Sequence, residues 1–310
     1  MREPSAEVSS ALSVFTPNPD LLSEYILYAL AWNSDFAKFL GERCTGTMYP
    51  TVSRDVVSSY QIPIAPVLEQ RRIIAEIEKQ FTRLDAGVLA LQRVEANLKR
   101  YRAAVLKAAC EGSLVPAQGS WCFTELGKVV TFLQGLQVPV PDQHFEPAEG
   151  DVPFLRIVNY TQPDKDFRYI TDPGAKYHIQ NDDVVMVRYG TPGLVGRGFE
   201  GVIANNLFRV IPQPSLSKNY LFYFLKSKAV ADLIRSRQKG GTMQAISFGQ
   251  LKDIPISIPP LAEQTRIVAE VERRLSVVEE LESVVTANLQ RATRLRQSIL
   301  QKAFTGNLIK

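Results

Sequence analysis

The chain has 310 residues, of which 45% are hydrophobic and 22% are charged, the proportions of an ordinary globular protein. No run reaches the ~18 apolar residues that cross a bilayer, so the sequence predicts no membrane-spanning helix. Three scattered cysteines without a Cys-x-x-Cys spacing predict neither a disulfide framework nor a zinc site. The net charge of +4 permits nucleic-acid binding without requiring it. The N-terminus lacks a signal peptide, and we expect a cytoplasmic location.

The N-terminal region, residues 1–62, predicts a short helical segment. Tyr25 and Tyr28 stand there in a pattern that returns, with the same spacing, at Tyr220 and Tyr223. Acidic side chains outnumber the basic ones between residues 20 and 60, so this region does not predict a phosphate-binding surface.

A long helix follows. Between Leu68 and Cys110 there is no proline, and Gly87 is the only glycine. Apolar residues recur there at steps of three and four, which is the pattern of a coiled-coil seam. The seam residues are Ile74, Ile77, Phe81, Leu84, Val88, Leu91, Leu98 and Val105. At 1.5 Å per residue such a helix is ~65 Å long, about two turns of B-DNA.

The block from Trp121 to Ile254 predicts a mixed domain of strands and helices. β-branched runs at Val152–Val158 and Asp183–Tyr189 end in turn signals, which indicates strands. A glycine-rich segment at 190–201 predicts hairpins. Tyr220–Lys239 predicts one amphipathic helix.

A second long helix repeats the first. Its beginning, Ile256–Ile267, matches Ile62–Ile73, with Gln264 at the place of Gln70. The register holds to the helix ends, which indicates duplication of a domain-plus-helix unit and not a short solenoid repeat. Because both helices carry one seam, whose polar interruptions at Arg102 and Arg296 also coincide, we expect them to pack on each other as an antiparallel pair.

The first copy is predicted to be incomplete, because the counterpart of Trp121 would fall before Met1. We therefore expect a remnant of the first globular domain at 1–62 and the first long helix at 63–114. A complete globular domain at 115–255 and the second long helix at 256–310 follow. The predicted fold class is α/β (mixed α+β), with the two long helices forming an antiparallel coiled coil.

The motifs of common enzymes are missing. The sequence has no Gly-x-x-x-x-Gly-Lys-Ser/Thr phosphate loop and no Gly-x-Ser-x-Gly nucleophile elbow. With only His144 and His178, it offers little to a histidine-based triad or metal site. Gly190–Gly196 resembles a phosphate loop superficially, but its spacing fits no nucleotide fingerprint. We expect no catalytic residue, no metal site and no cofactor on this chain.

Basic and amide side chains indicate a DNA-binding domain instead. From Lys218 to Lys239, six basic residues stand against one acid, Asp232, and the glycines that follow let backbone amides approach phosphates. Arginines at strand ends carry forked donors that suit guanine edges. The candidate DNA-binding residues are Arg156, Asn159, Tyr160, Arg188, Tyr189, Arg197, Lys226, Lys228, Lys239, Thr242 and Gln244.

Each of these features has a structural alternative. A basic helix is commonly a solvated face, and a single arginine more often pairs or packs than reads a base. A heptad seam by itself indicates packing or oligomerisation. The alternative function is a coiled-coil scaffold whose globular domain binds protein.

The sequence resembles one known family. The motif Pro-Pro-Leu-x-Glu-Gln-x-x-Ile at Pro259–Ile267, with a long helix ending at Ala303–Leu308, is similar to a region of type I restriction–modification specificity subunits. Phe154–Ile157 and Asp183–Gly190 look like two strands of their target-recognition domains, and Gly241–Ser247 looks like the loop before the proline-rich segment.

The resemblance implies a non-catalytic subunit that recognises a specific sequence in double-stranded DNA, each target-recognition domain reading half of a split site. It implies methyltransferase (M) subunits as partners, which bring S-adenosylmethionine and flip the target adenine. Motor/endonuclease (R) subunits would bring ATP and Mg²⁺. Because the first domain is predicted to be shortened, self-association is a further expectation. A stand-alone nuclease is disfavoured, because neither Asp-x-Lys nor Glu-x-Lys occurs.

Overall fold

The computed structural model describes residues 18–32, 34–46, 51–162, 167–237 and 245–309. The chain divides into two compact units. Unit 1 comprises Met1–Ala96 and Glu282–Lys310, and unit 2 comprises Asn97–Leu281. Each long helix contributes to both units, so these units are not the four parts expected from the repeat, and the predicted domain boundaries stay a prediction.

Helices form most of unit 1 and also occur in unit 2. The helices before the middle domain are α1 (Ser23–Trp32), α2 (Ser34–Gly41), α3 (Arg54–Ser58) and α4 (Val67–Glu111). The later helices are α5 (Ile157–Thr161), α6 (Lys218–Lys226), α7 (Lys228–Arg237), α8 (Phe248–Lys252) and α9 (Leu261–Phe304).

The long helices α4 and α9 confirm the two helices predicted from the seam. Both begin directly after prolines, and each is followed by a left-handed glycine, Gly112 or Gly306, with φ +76°. The N–H of Ser113 donates to the carbonyl of Ala108 at 3.0 Å, and the equivalent bond after α9 measures 2.8 Å. The two helices therefore end in the same glycine-dependent turn.

The two helices run antiparallel in each unit. In unit 1, Arg296 of α9 donates to Asp85 of α4; in unit 2, Arg102 of α4 lies 3.6 Å from Glu279 of α9. A later position on α4 thus pairs with an earlier position on α9, which confirms the antiparallel pairing. The arginines that interrupt the predicted seams are the basic partners of two equivalent interhelical ion pairs.

The core of unit 1 lies between α1, the first turns of α4 and the last turns of α9. The ring of Tyr25 packs edge-on against Phe304, with 5.1 Å between centroids. The buried residues are Tyr25, Ala29, Ile73, Ile77, Phe81, Ile299, Leu300, Ala303 and Phe304. The apolar seam positions at these helix ends therefore form a core, as amphipathic helices require.

The described residues of unit 2 form three sheets. The first pairs β1 (Cys122–Glu125) with β10 (Pro255–Ile258). The second has the order β2 (Val130–Gln134), β9 (Leu207–Pro212), β6 (Val184–Val187) and β7 (Val195–Gly196). The third has the order β4 (Arg168–Thr171), β3 (Asp151–Leu155), β8 (Gly201–Ile203) and β5 (His178–Ile179). Only β3 and β8 pair in parallel in these described sheets.

The main core of unit 2 lies between the second sheet and helices. Met186 and Phe208 of the sheet, Leu221 of α6 and Val271 of α9 have no exposed surface and belong to one contiguous cluster. Burial of this apolar surface is the main favourable contribution to the stability of the unit. The expected mixed fold of strands and long helices is confirmed.

The strand predicted at Val152–Val158 is shorter than expected. It ends at Leu155, and α5 begins two residues later, at Ile157. The side chain of Asn159, within α5, accepts the N–H of Arg156 at 2.8 Å. This local bond favours a helical turn over continued strand pairing, so the β-branched residues at 157 and 158 are helical.

The single helix predicted at Tyr220–Lys239 is two helices. The backbone is extended at Ser227, with φ −65° and ψ 146°, so α6 ends there and α7 starts at the next residue. The Ser227 hydroxyl accepts the N–H of Val230 at 3.4 Å. Serine in this position caps a new helix, which explains the break inside a continuous amphipathic pattern.

A buried glutamine joins the start of each long helix to the segment before it. Gln264, which has no exposed surface, accepts the N–H of Ser217 at 2.8 Å. Its amide donates to the carbonyls of Ser215 and Pro259, both at 2.8 Å. The side chain therefore satisfies three backbone groups that would otherwise be buried without partners.

Gln70 makes the same three bonds in unit 1. It accepts the N–H of Leu22 at 2.9 Å and donates to Asp20 at 2.9 Å and Ala65 at 2.7 Å. These partners occupy the repeat positions of the Gln264 partners. A second pair of hydrogen bonds is repeated as well. The hydroxyl of Tyr25 donates to the carbonyl of Pro63 at 3.0 Å, and that of Tyr220 donates to the carbonyl of Ser257 at 2.9 Å. The sequence repeat is therefore also a repeat of structure.

No helix in the described ranges of the chain is both long enough and apolar enough to cross a bilayer. No three histidine, cysteine, aspartate or glutamate side chains of this part of the chain come together as metal ligands.

Candidate nucleic-acid interface

One group of polar side chains collects where strands of unit 2 end. Gln134 is the last residue of β2, Arg188 and Tyr189 follow β6, and Asn205 lies between β8 and β9. Together with the exposed Gln137, they form what we name the amide–arginine cluster. Four of the five side chains are half-buried, so the scaffold holds them while they remain accessible.

Hydrogen bonds connect the whole cluster. Arg188 donates through Nη1 to Oε1 of Gln134 at 3.2 Å. The hydroxyl of Tyr189 donates to Oδ1 of Asn205 at 3.0 Å, whose Nδ2 donates to Oε1 of Gln137 at 3.2 Å. Gln134 in turn donates to the Asn205 carbonyl. Because each side chain fixes the next, donors and acceptors are held in a defined arrangement.

The cluster depends on a close approach of two backbones. A Cβ at Gly135 would lie 2.2 Å from the carbonyl oxygen of Ala204, so a side chain at this position is excluded. The N–H of Leu136 donates to the carbonyl of Ile203 at 2.8 Å. Glycine at 135 therefore lets Gln134 and Gln137 approach the turn that carries Asn205.

The backbone of Arg188 is fixed on both sides. Its N–H donates to Asn206 at 2.8 Å, and its carbonyl accepts the N–H of Ile246 at 2.9 Å. The guanidinium lies 5.9 Å from the ring centre of Phe248. Among the described residues, Gln134 is the one hydrogen-bond acceptor of this guanidinium, so no described residue accepts from its other donors.

The predicted contact residues Arg156, Asn159 and Tyr160 lie together around α5. Asn159 is fully buried and binds the N–H of Arg156. The Tyr160 ring packs against Phe199, with 5.2 Å between centroids, and it fills the space beside Gly196. Burial, with the nearby Asp183 carboxylate, raises the pKa of the Tyr160 hydroxyl. These contacts are structural, and DNA contact by the three residues stays a prediction.

Arg197 and Lys226 share a different place, a pocket of about 420 Å³. Arg197 donates to Asn219 at 2.7 Å and stacks on the ring of Phe222, 4.2 Å from its centre. The ammonium of Lys226 lies 4.9 Å from the same ring centre. Partial burial and the neighbouring Arg102 and Arg197 lower the pKa of Lys226. Neither residue contacts the amide–arginine cluster in the described structure.

The basic run of α6 and α7 is less positive than the sequence suggests. Lys218 pairs with Asp182 at 2.8 Å and with Asp183 at 2.7 Å, acids that are distant in sequence. Lys228 and Arg235 remain exposed and pair with Asp232 at 2.5 and 3.0 Å. The local charge expected for this run is thus partly neutralised by folding.

The remaining predicted residues of this region either bind the backbone or lie outside the described part of the chain. Arg237 donates to the carbonyls of Gln250 and Asp253 at 2.6 and 3.3 Å. Its guanidinium therefore binds the backbone at the end of α8. Lys239, Thr242 and Gln244 lie outside the described residues.

The structure thus divides the predicted residues into separate groups. Arg188 and Tyr189 belong to the amide–arginine cluster, Arg197 and Lys226 to the pocket, and Lys228 to the exposed face of α7. Sequence reasoning missed Gln134, Gln137 and Asn205. The signal that could have indicated the first two is glycine at 135, between two glutamine-bearing positions at the end of an apolar run.

The two histidines are each bound to a carboxylate. His144 lies 2.7 Å from Asp151, and His178 lies 2.7 Å from Asp172. The hydrogen bond from each imidazole lowers the pKa of the carboxyl beside it. Each pair ties together neighbouring residues of a loop and strand, which is a structural role.

Curated relatives align with this sequence over most of its length. The chain is 27% identical over 270 residues to the type I restriction enzyme StySPI specificity subunit of Salmonella potsdam. It is 26% identical over 273 residues to the EcoKI specificity subunit of Escherichia coli (strain K12). Each match covers 80% of this chain and 57% of the relative, so the chain spans less than three fifths of the length of these relatives.

Solved structures share the fold. A chain from a study titled "Structural basis underlying complex assembly and conformational transition of the type I R-M system" aligns with a TM-score of 0.72 at 24% identity, over 92% of this chain and 68% of that one. The HsdS subunit from Thermoanaerobacter tengcongensis aligns with a TM-score of 0.54 at 24% identity, over 93% and 71%.

A family model covers the domain that carries the amide–arginine cluster. The model described as the type I restriction modification DNA specificity domain matches residues 120–283, which is more than half of the chain. All five cluster residues lie inside this match. The chain therefore belongs to the family of type I restriction–modification specificity subunits.

Proposed function

We propose that the chain is the sequence-specific DNA-recognition subunit of a type I restriction–modification complex, acting without catalysis of its own. Unit 2 reads double-stranded DNA, and partner M and R subunits carry out adenine methylation and cleavage. S-adenosylmethionine, ATP and Mg²⁺ bind those partners in this proposal, and the assembly is cytoplasmic. The observation that carries the proposal is the amide–arginine cluster, held at strand ends inside the matched specificity domain.

The chemistry of the cluster suits base edges in the major groove. A guanidinium can donate two parallel bonds to O6 and N7 of guanine, and an amide can donate and accept at adenine. Arg188 supplies the first kind of group, and Gln134, Gln137 and Asn205 supply the second. Because the groups are already hydrogen-bonded to one another, little conformational freedom is lost when they bind.

Phosphate contacts belong to a different set of residues in the proposal. Lys228 and Arg235 are exposed on α7, with about 69% and 73% of their side chains accessible. Such side chains neutralise phosphates whatever the base sequence, and binding through them weakens as salt rises. They set affinity and position, whereas the cluster sets sequence preference.

A binding experiment separates these roles. The chain, together with its M subunits, is mixed with a pool of random duplexes, and bound duplexes are sequenced while affinity is measured at several salt concentrations. Arg188→Ala should relax the preference at one base pair, a loss of about 1–3 kcal/mol of discrimination. Arg235→Ala should weaken all duplexes alike and reduce the salt slope by about one.

Arg71→Ala is the control, because Arg71 is exposed in unit 1 and distant in sequence from the specificity domain. It should change neither preference nor salt slope. Absence of binding to any duplex, with M subunits present, would contradict DNA recognition and favour a scaffold that binds protein.

A further inference from the structure

Three side chains of the amide–arginine cluster form a chain of hydrogen bonds with a direction. The hydroxyl of Tyr189 donates to Oδ1 of Asn205 at 3.0 Å. Nδ2 of the same amide donates to Oε1 of Gln137 at 3.2 Å. We name these three side chains, Tyr189, Asn205 and Gln137, the amide relay. It leads from a half-buried tyrosine to an exposed glutamine.

Backbone contacts fix the places from which the relay side chains extend. Tyr189 forms an antiparallel bridge with Ala245. The backbone carbonyl of Asn205 accepts a hydrogen bond from the side chain of Gln134. The positions of the residues thus follow from backbone pairing, and the orientation of the two amide groups is the choice that remains.

The phenol of Tyr189 sets that orientation. A carboxamide can turn over and exchange its oxygen with its nitrogen, and a hydroxyl can donate or accept. A phenol is a better donor than acceptor, because a lone pair of its oxygen is delocalised into the ring. Tyr189 therefore holds Oδ1 of Asn205 towards itself, and Nδ2 faces Gln137.

The exposed end of the relay is a hydrogen-bond donor. Oε1 of Gln137 accepts from Asn205, and no described residue accepts from its Nε2. The NH2 group is thus what this exposed side chain offers to a ligand. In the major groove, O6 of guanine and O4 of thymine accept such a bond, whereas the amino groups of adenine and cytosine are donors themselves.

We propose that Tyr189 is a positioning residue for base recognition, which acts through Asn205 and turns the amide of Gln137 so that it selects a keto base, guanine or thymine, over an amino base, adenine or cytosine. The inference rests on the proposed function, because it names the class of base that one member of the amide–arginine cluster reads.

The relay explains why this amide discriminates. A glutamine without a fixed neighbour turns over and suits either class of base. Turning Gln137 over within the relay breaks its bond to Asn205 and places Nε2 against Nδ2, donor against donor. The preference for a keto base is therefore expected to be about tenfold or more.

Selection from random duplexes tests the relay. The full chain and its M subunits are mixed with the duplexes, and the bound ones are sequenced. Gln137→Ala identifies the base pair concerned, because preference is lost there. At that base pair the wild type should select a keto base, and Tyr189→Phe should abolish most of this selection. Tyr101→Phe, the same change at an exposed tyrosine of α4, should leave it unchanged.

A second variant separates orientation from loss of structure. In Asn205→Asp both side-chain oxygens accept, so Tyr189 still donates, but Gln137 has to turn its NH2 group towards the carboxylate. Its Oε1 then faces the base, and the preference at the same base pair should switch to adenine or cytosine. The added negative charge lowers the affinity for all duplexes alike. A merely structural role of Asn205 would weaken the preference without inverting it.

The outcomes separate the relay from DNA recognition itself. A wild-type preference for an amino base at this position would overturn the inference. Unaltered preference in Gln137→Ala, or in both Tyr189→Phe and Asn205→Asp, would overturn it as well. In those cases Arg188→Ala still reports on the proposed function, which can stand while the relay fails. Absence of binding to any duplex, with M subunits present, would contradict the proposed function and the inference with it.

Discussion

At the residue scale, Asp183 is a buried charge that two basic residues of unit 2 share. It is 2% exposed, and its oxygens lie 2.8 Å from Arg209 and 2.7 Å from Lys218. Asp183→Asn should lower the free energy of unfolding by about 3 kcal/mol or more, because two cations then lose a buried partner. Asp182→Asn, its exposed neighbour, should lower it by less than about 1 kcal/mol. Urea unfolding of both variants compares them directly.

The pH dependence of the Asp183 contribution follows from its environment. Although burial opposes ionisation, the N–H of Gln180, Lys218 and Arg209 hold the pKa of this carboxyl below its usual range. Its stabilisation is therefore present above the unfolded-state pKa of about 4. It is lost as the pH falls through the lower folded-state pKa. Unfolding of wild type and Asp183→Asn should converge at acid pH, and a constant difference down to the lowest pH would contradict this.

The cysteines should differ in reactivity. Burial raises the pKa of the Cys110 thiol to about 11, whereas Cys44 and Cys122 are exposed. Since the thiolate is the reactive form, iodoacetamide near pH 8 should alkylate Cys44 and Cys122 and spare Cys110 until the protein is unfolded. Peptide mass spectrometry reads out each site. Equal labelling of Cys110 in the native protein would show that α4 opens near its end.

Single residues also show how far sequence reasoning reaches. Arg188 was predicted as a ligand-binding residue because it ends a strand, and the structure places it in the amide–arginine cluster. Two other members of the cluster, Gln134 and Asn205, are not predicted from the sequence, because their proximity comes from strand pairing between β2 and β9. Asn159 and Tyr160 looked available in sequence, but burial is a tertiary property that one sequence does not display.

At the element scale, each of the two buried glutamines connects the start of one long helix to the segment before it. Gln70→Leu should leave the N–H of Leu22 and two carbonyls without partners, a destabilisation of about 2–3 kcal/mol. Amide exchange should then quicken in α1 and not in α6. Gln264→Leu should have the reverse effect, and Gln80→Leu, with one bond to Glu76, should change little. Equal quickening in both units for either variant would contradict the unit-specific role.

Element prediction succeeded where the periodic signal was long. The seam of α4 and α9 extends over many turns, so their type and antiparallel pairing could be predicted. The break at Ser227 could not, because an amphipathic pattern continues across it while the hydroxyl caps a new helix. Arg102 and Arg296 look like interruptions of the apolar seam in the sequence. Their pairing could not be predicted, because the acidic partner of each lies on the opposite helix.

At the scale of the whole molecule, the duplication visible in sequence is a duplication of contacts. Each unit joins the start of one long helix to the end of the other and adds a tyrosine-bearing helix. The repeat could be inferred from the sequence alone, and the family from the resemblance of its motifs. The different exposure of two equivalent residues could not be inferred, because the exposed Glu69 and the buried Glu263 have the same local sequence signature.

The central claim is that this chain sets the DNA sequence on which its M subunits act. The most direct measurement maps methylated adenines in a host genome that carries the chain and its M subunits, for the wild type, Arg188→Ala and Arg71→Ala. The wild type and Arg71→Ala should methylate one identical motif, whereas Arg188→Ala should degrade or change the half of the motif that unit 2 reads. An identical, fully methylated motif in all three strains would contradict recognition through the amide–arginine cluster.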